Sequence, residues 1–128
     1  MRQTKIPKPT EAELAILRSL WETGPATVRQ VHEALPAGRA VGYTTVLKML
    51  QIMTEKGLVL RDERQRSHVY RSAIGEERTQ RQLVSDLLDR AFGGSSQKLV
   101  MQALAAKKAS PEEVRQIRKL LDEMEARP

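Results

Sequence analysis

The sequence predicts a mostly α-helical chain with one small antiparallel β-hairpin, on three observations. Apolar residues recur at helical spacing through most of the chain, in stretches bounded by capping residues and by glycine or proline. One pair of short runs, 58–62 and 67–72, alternates apolar with polar residues around a charged turn. Beyond residue 75 only helical periodicity remains, with Phe92 as the sole aromatic.

Each element has its own justification. Residues 1–9, with Pro7 and Pro9, are expected to form a loose arm. Thr10 and Glu13 make a capping box, in which each side chain accepts the other residue's backbone amide. The helix that follows, Glu11–Thr23, places Leu14, Leu17, Leu20 and Trp21 on one stripe and stops at Gly24-Pro25. Thr27 and Gln30 form a second box, opening a helix that buries Val28, Val31 and Leu35 and is broken by Pro36-Ala37-Gly38. A third helix, Tyr43–Lys56, carries Val46, Met49, Leu50 and Met53 inward and ends at Gly57. The hairpin "LVLRD" and "SHVYRS" then closes over it, with Tyr70 and Trp21 as core pieces. Three short helices followed by a hairpin describe a winged helix-turn-helix, assigned to residues 1–74.

Residues 75–128 read as a helical tail. The stretch 76–92 offers Leu83, Val84, Leu87, Leu88 and Ala91, and Gly93-Gly94 ends it. Ser95 or Ser96 caps a short helix with Leu99, Val100, Ala103 and Leu104 on its apolar side. Ser110-Pro111-Glu112-Glu113 is a third capping box, ahead of a helix carrying Val114, Ile117, Leu120, Leu121 and Met124. A tail of this size cannot close a core alone. Its stripes need other surface, and pairing of two tails through Leu83, Leu87, Leu99, Val100, Leu104, Val114, Ile117, Leu121 and Met124 is the expected solution.

Composition narrows the function. The chain of 128 residues carries a net charge of +6 with a pI near 10, which favours a polyanionic partner. Residues 1–72 hold 12 Lys/Arg against 7 Asp/Glu, a net of +5; residues 73–128 hold 10 against 9, a net of +1. The charge therefore sits on the winged part. With no cysteine, disulfides, thiolate metal sites and cysteine nucleophiles are excluded. No apolar run approaches the roughly 18 residues of a membrane span, and the N-terminus lacks a signal-peptide core, so a cytoplasmic protein without membrane insertion is expected.

The third helix also has a polar face of Thr44, Thr45, Lys48 and Gln51, beside a hairpin tip with Arg61, Arg64 and Arg66. An α-helix fits the major groove of B-DNA, where Thr, Lys and Gln meet base edges, while a basic wing reaches phosphates. A solvated helix also shows such a face, and arginines often decorate turns. The helix order, the hairpin and the uneven charge together favour double-stranded DNA. The expected contact set adds Thr27, Arg39, Tyr43 and His68. No small-molecule or metal cofactor is expected. The two histidines, His32 and His68, lack metal-site spacing and read as a surface residue of the second helix and a wing residue. Ser95 and Ser96 sit in neither a Gly-x-Ser-x-Gly nor a Walker pattern, so an enzyme is not expected. The alternative is a winged-helix module that binds another protein without specific DNA contact.

The segments "PTEAELAILRSLW", "ATVRQVHEAL", "YTTVLKMLQIMTEKGLV", "HVYRS" and "SSQKLVMQAL…SPEEVRQIRKLL", in this order from Pro9 to Met124, resemble the penicillinase-repressor family of transcription factors. The resemblance implies a winged-helix head, a tail that dimerises by intertwining, and repression from an operator of two-fold symmetry. It also implies a membrane-bound sensor with a metalloprotease domain that triggers repressor cleavage. In β-lactam-responsive members the cut falls at an Asn-Phe bond in the short tail helix; the aligned pair here is Gln102-Ala103. The copper-responsive branch senses through a cysteine-rich C-terminal motif, which a chain without cysteine lacks.

Overall fold

The computed structural model describes residues 7–36 and 41–127. The elements run α1 (Glu11–Thr23), β1 (Ala26–Thr27), α2 (Val28–Ala34), α3 (Tyr43–Lys56), β2 (Val59–Asp62), β3 (Val69–Ser72), α4 (Glu76–Ala91), α5 (Ser96–Ala106) and α6 (Pro111–Ala126). The capping chemistry read from the sequence fixes several of these ends. Thr10, Thr27 and Ser110 cap α1, α2 and α6 in full capping boxes with Glu13, Gln30 and Glu113. Gly57 ends α3 in the left-handed conformation, φ 83°, which favours glycine. Helix α2 ends at the C-cap Leu35, ahead of Pro36, while residues 37–40 of the expected break and residues 1–6 of the N-terminal arm lie outside the described residues.

The hairpin is part of a three-stranded antiparallel sheet of order β1-β3-β2. Tyr70 of β3 is opposite Ala26 on one side and Arg61 on the other. The added strand β1 has only two residues, too few for an alternation to register, and it sits between the Gly24-Pro25 stop and the Thr27 cap. The alternation read in "LVLRD" also breaks. Leu58 and Val59 are both buried, whereas Leu60 is 44% exposed.

One apolar cluster unites α1, α2, α3 and the sheet. Ile16, Leu17 and Leu20 of α1 meet Val31 of α2, Val46, Leu50 and Met53 of α3, and Val59 and Tyr70 of the strands. Ile16 takes the buried place expected for Leu14, which is half-buried. Trp21 packs at the edge of this core. Its indole N–H donates to Ser72 Oγ at 3.0 Å and to the Ile74 carbonyl at 3.1 Å, tying α1 to the chain that leaves the wing.

A second tie joins the start of α1 to the end of α3. Glu13 is buried, accepts the Thr10 amide at 2.9 Å, and pairs with Lys56 Nζ at 2.8 Å. Burial alone would raise its pKa. The hydrogen bond and charge of Lys56, with the bonds from Thr10, outweigh that and hold the carboxyl below its ordinary value.

The chain separates into two compact units, Met1–Leu83 and Val84–Pro128, with their junction inside α4. The first turns of α4, including the buried Thr79, belong to the winged unit. In the second unit α5 and α6 bury no residue. Met101 is 62% exposed and Met124 56%.

Candidate nucleic-acid interface

The periodicity of α3 decides what it presents. With Val46, Leu50 and Met53 fully buried, Thr44, Thr45, Lys48 and Gln51 are left exposed on the far side, joined by Tyr43 and Ile52. The helix starts at Gly42, which is extended and supplies no side-chain cap, so no cap side chain occupies the amides of the first turn. At the other end Met53 O accepts the amides of Gly57 and Leu58.

A cleft of about 380 Å³ opens beside this face. Its walls bring together Thr27, Tyr43, Arg66 and His68, four of the residues singled out from the sequence, and add Arg29 and Ser67. Arg29 is outside the contact set expected from the sequence; it stands two residues after the Thr27 cap, exposed in the first turn of α2. The Thr27 hydroxyl accepts the Gln30 amide at 3.2 Å and keeps its own hydrogen to donate. His68 is exposed and lies just before β3. Arg39 lies outside the described residues.

Arg61 and Arg64 are not in this cleft. They line a separate groove with Leu60, Asp62, Glu63 and Arg71. Both are already matched with wing carboxylates. Arg64 grips Asp62 through Nε at 3.0 and 3.1 Å and through its terminal nitrogen at 2.7 Å, while its backbone amide donates to Asp62 Oδ1 at 3.0 Å. The side-chain and backbone bonds from Arg64 lower the Asp62 carboxyl to about 2. Arg61 pairs with Glu63 at 2.7 Å. Arg66 has no ion pair among the described residues. Read from the sequence, the three arginines looked equivalent; the turn makes Arg66 different.

His32 is more than a surface residue of α2. It is half-buried, and its Nε2 lies 2.9 Å from the Val41 carbonyl, across the connection into α3.

In the second unit, Leu87, Val100, Leu104, Val114, Leu121 and Met124 are exposed, and Leu99 and Ile117 are half-buried. Leu83, the last residue of the first unit, is half-buried as well. Gln102 and Ala103 are exposed within helical α5. Among the described residues no group of three or more His, Asp or Glu side chains is arranged to hold a metal ion. No described helix is long and apolar enough to cross a membrane.

A family model described as penicillinase repressor matches residues 9–123. The chain is 35% identical over 123 residues to the transcriptional regulator BlaI of Mycobacterium tuberculosis, covering 95% of this chain and 88% of that one. It is 24% identical over 119 residues to a penicillinase repressor of Bacillus licheniformis, covering 93% of each. It also resembles the solution structure of the Bacillus licheniformis BlaI monomeric form in complex with the blaP half-operator. That match has a TM-score of 0.50 and 26% identity, covering 57% of this chain and 89% of that one. With a winged head, a helical tail and a match along almost its whole length, the chain belongs to the penicillinase repressor family.

Proposed function

We propose that this protein is a transcriptional repressor that reads a two-fold symmetric operator as a homodimer and is relieved by proteolysis or another signal. The observation that carries the reading is the division of α3: three buried anchors on one side, and Thr44, Thr45, Lys48 and Gln51 exposed on the other. These side chains suit base edges and the thymine methyl in a major groove. Arg29, Arg66, His68 and Tyr43 in the adjacent cleft suit the phosphates that flank it. The half-operator bound by the Bacillus licheniformis relative supports a DNA partner here.

Dimerisation has separate support in the exposed stripes of α5 and α6. At roughly 25 cal/mol per Å² of apolar surface removed from water, covering them is favourable, and a second tail offers a matching face. A dimer holds two recognition helices at a fixed spacing, which multiplies two weak grips through effective concentration. Gln102-Ala103 is a candidate cleavage bond because it is exposed and lies between the head and α6. A protease needs extended substrate, so α5 must unwind locally to be cut.

Titration of a random-sequence duplex at two salt concentrations, with sedimentation in parallel, tests the core of this reading. Steep loss of affinity with salt and a dimer at micromolar concentration are expected. A flat salt response would favour a protein-binding module, and a monomer that still bound an operator tightly would remove the dimer from the proposal.

A further inference from the structure

Gly42 gives α3 no side-chain cap, yet the start of this helix is where Tyr43, Thr44 and Thr45 must be placed. The neighbouring helix supplies a constraint. His32, in the last turn of α2, reaches the carbonyl of Val41, the residue just before Gly42, at 2.9 Å. A carbonyl oxygen only accepts, so Nε2 carries a hydrogen and donates it. The same ring stands edge-on to Tyr43, with centroids 6.2 Å apart and planes at 79°. One side chain thus touches the residues on both sides of the N-cap. It is half-buried, contributes nothing to the apolar cluster, and does not line the basic cleft.

We propose that His32 is a positioning residue that sets where α3 begins, and so governs discrimination between operator and random DNA without touching DNA itself. This rests on α3 being the reading helix. Base-edge hydrogen bonds need side chains placed within about 0.5 Å, and residues at the helix start move most when the entry is loose. Grip on random DNA comes from charge and tolerates such movement. Loss of the His32 bond therefore separates the two kinds of binding, whereas general destabilisation of the head lowers both together.

The reach of the donor gives the test. Glutamine places its amide nitrogen as many bonds from Cα as the histidine Nε2; asparagine is one bond short; phenylalanine keeps the ring against Tyr43 but has no donor. The probe is a duplex selected by the wild-type protein from a random-sequence pool, set against an unselected duplex. His32→Gln should keep the ratio of the two affinities within about twofold. His32→Asn and His32→Phe should lower it by about five- to tenfold, the size of one hydrogen bond, with binding to the unselected duplex and its salt slope unchanged. In the free protein, the nitrogen chemical shifts of His32 should show the hydrogen on Nε2. A wild-type ratio in the Asn and Phe variants, an equal loss in all three, or a parallel loss on both duplexes would overturn the proposal. If the wild-type protein selects no sequence at all, the reading of α3 fails first and is recognised as such.

Discussion

Helices α3 and α6 are close in length, 14 and 16 residues, and both are amphipathic, yet their apolar stripes have different fates. Val46, Leu50 and Met53 of α3 are sealed by α1, α2 and the sheet. Leu120, Leu121 and Met124 of α6 are each more than half exposed. Periodicity reports that a face wants cover. It does not report whether the cover comes from the same chain. The head answers the demand internally, and the polar face of α3 is held out on a packed core. The tail leaves the demand open, which is the physical basis for reading it as half of an assembly.

The largest effect should come from closing that open demand to a partner. Ile117→Asp puts a charge into the α6 stripe, and we expect monomers by sedimentation with operator affinity lower by about a hundredfold or more, while the head melts normally. A dimeric Ile117→Asp variant would mean that α6 is not the seam.

Next in size is a direct contrast of the two stripes. Leu50→Ala opens a cavity in a closed core and should cost the head about 2–5 kcal/mol, seen in its thermal melt. Leu121→Ala should leave the melt of the head unchanged and weaken only self-association. Equal effects on the head would erase the distinction between the units.

The wing sharpens the comparison at the level of charge. Arg66→Ala should flatten the salt dependence on random DNA by about one counterion, and Arg64→Ala by clearly less, because Asp62 already neutralises it. Asp62→Asn keeps an oxygen for the Arg64 amide but removes the counter-charge, so the slope should steepen by about one. Arg64→Ala flattening the slope as much as Arg66→Ala would refute the distinction.

The smallest effect concerns acid. The folded carboxyl of Glu13 is held below its ordinary 4.5, so its contribution is present above that pH and is lost as pH falls through the lowered value. Glu13→Gln should melt at a lower temperature than wild type near neutrality. The gap should close on acidification below 4.5, and a gap that widened would reverse the sign assigned to the Lys56 pair.

Helix ends were legible in the sequence because capping is local chemistry: Thr10 with Glu13, Ser110 with Glu113 and Gly57 each act within one turn. The buried side of α3 was legible for the same reason, since Val46, Leu50 and Met53 announce one face. What escaped depends on contacts between distant residues or on turn geometry. Strand β1 exists only because β3 lies beside it. The string "RDERQR" displays its charges, but which arginine is spent on which carboxylate is fixed by how the turn folds. Arg29 joins the cleft, and His32 finds Val41, only once α2 packs against α3.

Under the proposed pairing, the bare stripe of α6 also shapes dose response. At concentrations where most chains are unpaired, the amount of paired repressor follows the square of the intact chain concentration, so halving intact chains leaves about a quarter of the paired form. A signal that cuts or dilutes only part of the pool then silences an operator sharply, and recovery on resynthesis is equally abrupt. On that reading, the steepness of the switch is set by α6 and not by the helix that reads the operator.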